Sequence, residues 1–139
     1  MAQWIERDFT RLDAEFVRRL GELSTGILAD SMNRLQGLDG GIRALRPGWK
    51  CAGPAFTIQC VEACNWGAHQ ALELAKPGDV LVLALRGATT AAVWGHVMTD
   101  AAKRRGIAGV IIDGAARDLA ENVADELPIF ARGGAPNGP

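Results

Sequence analysis

Two short apolar runs most constrain what this chain can fold into. Val80-Leu-Val-Leu-Ala-Leu85 is continuously hydrophobic, and Gly109-Val-Ile-Ile112 repeats the pattern about 30 residues later. Each has the length of a strand and lacks polar alternation, which predicts strands buried on both faces of a parallel sheet. Arg86-Gly-Ala-Thr-Thr90 reads as a loop, and a helix runs from it to about Arg105. Its start is open between a Thr89 or Thr90 cap and a later start near Gly95, because glycine inside a helix costs about 1 kcal/mol relative to alanine. Strand, helix and strand in this order form a parallel βαβ crossover. Ligands of such sheets gather at the carboxyl ends of the strands. The loop at Arg86-Gly87 and the stretch Asp113 to Asp118 are therefore expected at one rim, able to form one pocket.

The remaining elements are quieter. Asp13 to Leu20 reads as a short amphipathic helix. Ser24 or Thr25 caps a second helix through Leu35, ended by Gly37. Residues 37–48 are rich in turn formers. From Pro54 to Val61 the pattern alternates, with Phe56, Ile58 and Cys60 on one face and Thr57 and Gln59 on the other, as in a half-buried strand. Ala68 to Ala75 is helical and stops at the turn Lys76-Pro-Gly-Asp79.

With 139 residues, 48% of them hydrophobic, the chain can build one domain with its own core. A formal net charge of −1 gives no attraction to nucleic acid or an anionic membrane. No apolar run spans a bilayer, and the N-terminus lacks a signal peptide's apolar region; a cytoplasmic location is expected. Cys51, Cys60 and Cys64 lack a CxxC spacing and read as buried thiols of a reducing compartment.

Arg117-Asp118 is the sharpest chemical pair. Arginine binds carboxylates and oxyanions, and an adjacent aspartate offers a hard oxygen to a divalent metal. Glu121 would share a face with Asp118 if both lie in a helix's first turn; acids favoured by a helix dipole explain the same spacing without function. If the crossover helix starts near Gly95, the amides of Gly95, His96, Val97 and Met98 point from its N-terminus as a carboxylate site. His96 could bind metal or move protons. His69 reads as structural, Asp113 as a turn former before Gly114, and Trp94 as core packing, with a wall of the pocket as its alternative. No lysine has the apolar setting of a Schiff base, no serine has a GxSxG setting, and no phosphate-binding glycine loop is present.

Gly78-Asp-Val-Leu-Val82, Trp94-Gly95, Gly109-Val-Ile-Ile-Asp-Gly-Ala-Ala-Arg-Asp118 and Pro128-Ile-Phe-Ala-Arg-Gly133, in this order and spacing, resemble the RraA-like group. That group includes class II aldolases acting on 4-hydroxy-4-methyl-2-oxoglutarate and 4-carboxy-4-hydroxy-2-oxoadipate, and regulators of ribonuclease E. The likeness runs from about Leu23 to Pro139. It implies an α/β fold of layered β/β/α type, one domain over residues 1–139, and a homotrimer or hexamer with sites at subunit interfaces. It implies that Asp118 binds Mg²⁺ or Mn²⁺, that Arg117 contacts the keto oxygen of an oxo-acid substrate, and that amides of residues 95–98 hold the pyruvate carboxylate. The implied reaction is retro-aldol cleavage through a pyruvate enolate, with oxaloacetate decarboxylation beside it. The alternative is a non-catalytic regulator that binds a protein. Where the aldolases usually carry Asp or Glu after Trp-Gly, this chain has His96, a neutral imidazole that changes the local charge. Group members also continue past residue 139, with an acidic residue donated to a neighbour's site; a fragment of a longer protein, a partner chain supplying the remainder, or a repurposed protein are the corresponding expectations.

Overall fold

The computed structural model describes Glu6 and residues 8–139. The elements are α1 (Ala14–Glu22), α2 (Thr25–Ser31), β1 (Arg43–Ala44), β2 (Ala55–Gln59), α3 (Trp66–Leu74), β3 (Val80–Ala84), β4 (Ala92–Trp94), α4 (His96–Arg104), β5 (Gly109–Ala116), α5 (Leu119–Ala124) and β6 (Ile129–Gly134). The sheet order is β1-β6-β5-β3-β2, and the short β4 also pairs with β5. Strands β2, β3, β5 and β6 run parallel; β1 lies antiparallel on the β6 edge. The expected βαβ crossover is present as β3-α4-β5, with Val80 opposite Gly109 and Ala84 opposite Asp113.

Register aligns the core. Phe56, Leu81, Val110 and Ile129 form one row across four strands, and Leu81, Val110 and Ile129 are fully buried. Leu83 and Ile112 extend the same face, and Leu72, Met98 and Ala102 pack on it from α3 and α4. The continuous apolar runs predicted burial on both faces; the structure corrects this, because Val82 and Ile111 on the opposite face are only half-buried. The alternation expected in β2 is present, with Phe56 buried and Thr57 and Gln59 exposed.

Other boundaries moved for local reasons. Asp13 caps α1 by accepting from the amides of Glu15 and Phe16 at 3.0 and 3.1 Å. Ser24 caps α2, but α2 ends at Ser31 and not at Leu35. Asn33 and Arg34 both have positive φ, which stops a right-handed helix. Residues 92–94, within the stretch read as loop or helix, form β4. β5 continues through Asp113-Gly114 to Ala116, so Asp113 is an in-strand residue and not a turn former. Pairing decides this: Ala115 and Ala116 bind β4 on one side and Gly133 and Gly134 on the other. Glycine is needed at 114, where a Cβ would stand 2.8 Å from the Ala88 carbonyl oxygen. Of the thiols expected to be buried, Cys60 is buried and its pKa is pushed up to about 11, by burial first and by Cys64 second. Cys51 is half-buried and Cys64 is exposed. Among the described residues no helix is long and apolar enough to cross a membrane.

Candidate functional site

Strand β4 carries the chain up to Gly95, which caps α4 in an extended conformation. This decides the open helix start in favour of the later position. Parallel to β4, β5 delivers Arg117 and Asp118 at its carboxyl end, where the Arg117 amide donates to the Trp94 carbonyl at 2.9 Å. The residues 94–95 and 117–118, far apart in sequence, thus meet through one strand pairing.

Asp118 is the N-cap of α5 with φ 55° and ψ 48°, a left-handed conformation that aspartate tolerates better than most residues. That backbone turns its carboxylate away from its own helix: Asp118 makes no side-chain cap bond and accepts from the His96 amide at 3.1 Å. The Arg117 Nε lies 3.5 Å from the same Oδ2. Gly95 sits beneath this pair. A Cβ there would stand 2.7 Å from Asp118 Oδ2 and 3.0 Å from Arg117 Nε. Gly95→Ala should therefore displace both groups while leaving the fold intact, since the Gly95 backbone is extended and open to any residue. A shift of about 1 Å in a positioned group costs about 100-fold in kcat/KM. Steady-state rates beside a thermal melt that stays within a few degrees of the parent check this.

A buried polar chain braces the pair. Trp94 Nε1 donates to Thr99 Oγ1 at 2.9 Å, Thr99 Oγ1 donates to Asn122 Oδ1 at 2.6 Å, and Asn122 Nδ2 donates to the Arg117 carbonyl at 2.7 Å. Thr99 and Asn122 are fully buried, so this chain fixes α4 and α5 to the turn between β5 and α5. Removing Asn122 leaves the Arg117 carbonyl without its side-chain donor and the Thr99 hydroxyl with only the longer contact to the Gly95 carbonyl at 3.4 Å. Asn122→Ala should cost about 1–3 kcal/mol in urea unfolding, the desolvation penalty of groups left unpaired. The sequence reading did not single out Thr99 or Asn122. A polar residue at a core-facing helical position was the available signal.

Arg117 divides two clefts. The first, about 240 Å³, is lined by Asn65, His69, Ala92 to Gly95, Val97, Met98, Arg117 and Pro139. The second, about 400 Å³, runs past Ala116 to Leu119 and Gly134 to Pro136. Gly95, Val97, Met98, Arg117 and Asp118 are thus gathered at one place. Of the four amides expected at the helix start, two are already engaged: His96 N by Asp118, and Met98 N by the Gly95 carbonyl at 3.1 Å. The amides of Gly95 and Val97 have no partner among the described residues. His96 lines neither cleft; its Nε2 lies 3.1 Å from Asp125 Oδ2, on the C-cap of α5. Glu121 is exposed in α5 and lines neither cleft. The loop at Arg86-Gly87 does not join the pocket. Gly87 N donates to the Asp113 carbonyl at 3.0 Å, and Asp113 itself accepts from Arg132 Nε. His69, read as structural, instead lines the first cleft, and the core residue Trp94 also walls it.

The donor set at Asp118 suits a water-rich divalent cation. Its Oδ1 has no partner among the described residues and its side chain is 40% exposed. Mg²⁺ takes one or two carboxylates and keeps several waters. No cluster of three or more His, Cys, Asp or Glu residues able to hold a metal occurs among the described residues.

Residues 25–139 match the RraA-like family, described as Aldolase/RraA. The chain belongs to that family. It is 33% identical over 124 residues to a Halalkalibacterium halodurans protein named "Putative 4-hydroxy-4-methyl-2-oxoglutarate aldolase", covering 89% of this chain and 59% of that one. A solved Streptomyces coelicolor structure, described as an unusual member of the RNase ES inhibitor RraA family, superposes with a TM-score of 0.80 at 30% identity, covering 91% of this chain and 67% of that one. The RNA-processing inhibitor RraA from Thermus thermophilis gives a TM-score of 0.76 at 26% identity, over 84% of this chain and 71% of that one. The chain spans about three-fifths of the length of the H. halodurans relative. The α/β layered fold expected from the resemblance is that of the family.

Proposed function

We propose that this chain carries the pyruvyl- and metal-binding part of a divalent-metal-dependent aldolase. It would cleave 4-hydroxy-2-oxo acids such as 4-hydroxy-4-methyl-2-oxoglutarate and decarboxylate oxaloacetate as a side reaction. The observation that carries this reading is the placement of Arg117 and Asp118 against the start of α4. A cation, Mg²⁺ or Mn²⁺, supplies Lewis-acid polarisation of the 2-oxo group when bound. Asp118 would hold it through the oxygen that the His96 amide leaves free. The Val97 and Gly95 amides would take the substrate carboxylate, and Arg117 would face the keto oxygen. In the cleavage the C3–C4 bond breaks and its electron pair becomes the enolate, with negative charge on that oxygen, where a guanidinium is most effective. The 4-hydroxyl gives its proton to solvent water as it becomes a carbonyl, and the enolate takes a proton from water at C3 to give pyruvate. His96 is the second catalytic candidate through its place beside Asp118, with its own side chain turned to Asp125 and outside both clefts, and Glu121, exposed on α5, is the second candidate acid for the cation. Pyruvate release from oxaloacetate and from 4-hydroxy-4-methyl-2-oxoglutarate, with and without Mg²⁺ or Mn²⁺, tests the reading. Folded protein with no metal-dependent rate above background rejects it.

The likeness to RNase inhibitors favours a second reading, a regulator that binds a ribonuclease through protein contacts. Capture of a purified ribonuclease that persists in Arg117→Ala supports it. The assembly we propose for either reading is a homotrimer or hexamer. Helices α1 and α2 bury none of their residues, and Phe16, Ile27 and Leu35 are exposed, which supports a covering subunit.

A further inference from the structure

Residues 135–139 cross the carboxyl end of β5 as a strap. The Ala135 amide donates to the Ala116 carbonyl at 3.0 Å, and the Asn137 carbonyl accepts from the Ala92 amide at 2.8 Å. The segment therefore runs from β6, over the end of β5, to β4. Ala92, Ala115 and Ala135 form a small buried cluster of their own where it crosses, and such small side chains let it pack close to both strands. Pro136 and Pro139 fix their own φ and restrict the residue before each, which leaves the strap little freedom. It borders both clefts: Ala135 and Pro136 line the second, and Pro139 the first.

The side chain under the strap is Arg117. A Cβ at Gly138 would stand 2.6 Å from Nη1 and 3.5 Å from Cζ, and would meet no other side chain within 4 Å among the described residues. Ordinary contact begins at about 3.5 Å, so a methyl group there would push the end of the guanidinium by about 1 Å. Gly138 has no positive φ, so its backbone accepts alanine without strain. Gly95 meets the same side chain nearer its root, at Cγ and Nε, but it also meets Asp118 Oδ2. Gly138 meets Arg117 alone.

We propose that Gly138 is a positioning residue for Arg117: the strap fixes where the guanidinium end stands between the two clefts, independently of Asp118. This deepens the aldolase reading, on which its effect on rate rests. The strap takes no part in bond breaking; it sets the direction of the group that would face the enolate oxygen.

The test compares Gly138→Ala with Gly133→Ala, which adds the same methyl group to β6 where nothing stands within 4 Å. The Arg117 Nε–H magnetic resonance signal, identified by its absence in Arg117→Ala, reports on the side chain without any substrate. It should shift in Gly138→Ala and stay in place in Gly133→Ala. Oxaloacetate turnover with Mg²⁺ should lose about 100-fold in kcat/KM in Gly138→Ala, as expected for a positioned group displaced by about 1 Å. Mn²⁺ affinity, read by electron paramagnetic resonance, should be unaltered in Gly138→Ala and lowered in Gly95→Ala, which displaces Asp118 as well. An unmoved signal, an unaltered rate in an active protein, or a loss of Mn²⁺ affinity matching that of Gly95→Ala overturns the proposal. A shifted signal in a protein whose parent shows no metal-dependent rate supports the strap's hold on Arg117 and rejects the aldolase reading.

Discussion

Arg117→Ala and Asp118→Ala should each abolish metal-dependent pyruvate release from oxaloacetate while the protein stays folded. Both side chains are more than a third exposed, at 47% and 40%, so neither is a packing element whose loss would unfold the sheet. The Arg117 backbone, held by the Trp94 carbonyl and by Asn122, survives truncation of the side chain. Removing a single group that stabilises a developing oxyanion costs about 10²–10³ in kcat, which is the loss expected for Arg117→Ala. Asp118→Asn separates two roles of the carboxylate. The amide can still accept from His96 N but offers a poorer ligand to a hard cation, so Mn²⁺ affinity should fall while the melting temperature holds. Electron paramagnetic resonance titration of Mn²⁺ reads the first, and circular dichroism the second. An Asp118→Asn protein that binds Mn²⁺ as well as the parent would remove Asp118 from the metal site.

The second large effect lies at the opposite end of the sheet. Arg11 reaches from the segment before α1 to Asp79, at the start of β3, with Nε and Nη2 donating to the two carboxylate oxygens at 2.8 and 2.7 Å. Asp79 is 1% exposed and Arg11 17%, and the guanidinium also lies 4.2 Å over the Phe9 ring. Phe9 in turn meets Phe56, so the pair straps the N-terminal segment to the core. Arg11→Ala leaves a buried carboxylate with the Lys76 amide as its one remaining partner among the described residues. Breaking a buried pair from one side costs about 3–5 kcal/mol, readable as a shift of the urea midpoint. Burial alone would raise the Asp79 pKa, but the Arg11 hydrogen bonds, the Lys76 amide and the charges of Arg11 and Lys76 outweigh it and hold the pKa below its ordinary value. A carboxylate depressed in the folded state contributes stability above the ordinary aspartate range, near pH 4, and loses it as pH falls toward the folded value. Wild-type stability should therefore drop below about pH 4, and the Arg11→Ala protein should show a shallower drop from its lower starting point.

Much of the candidate site was legible because its chemistry is local. Arg117 and Asp118 are adjacent in sequence, and glycine at 95 marks a helix start that any chain of this pattern would favour. The parallel β3-α4-β5 unit was legible for a related reason: apolar runs of strand length separated by a helical stretch have few ways to pack. Pairing partners outside that unit were not. Strand β4 has only three residues and no pattern of its own; it exists because β5 offers it an edge. Asp113-Gly114 has the composition of a turn, yet neighbours on both sides keep it extended. His69 and Asn122 looked alike as polar residues on helices. Only the packing of α3 across the cleft and of α5 against α4 gave one a cavity wall and the other a buried bond.

The sequence by itself determined the parallel core, the crossover and the identity of the charged pair, because periodicity and adjacency are properties of neighbours along the chain. The tertiary structure alone decided where that pair points. The left-handed backbone at Asp118, the open space at Gly95 and the bond from His96 N to Asp118 join residues 22 positions apart. Such a contact is set by how strands register and helices dock, and no local pattern carries that information.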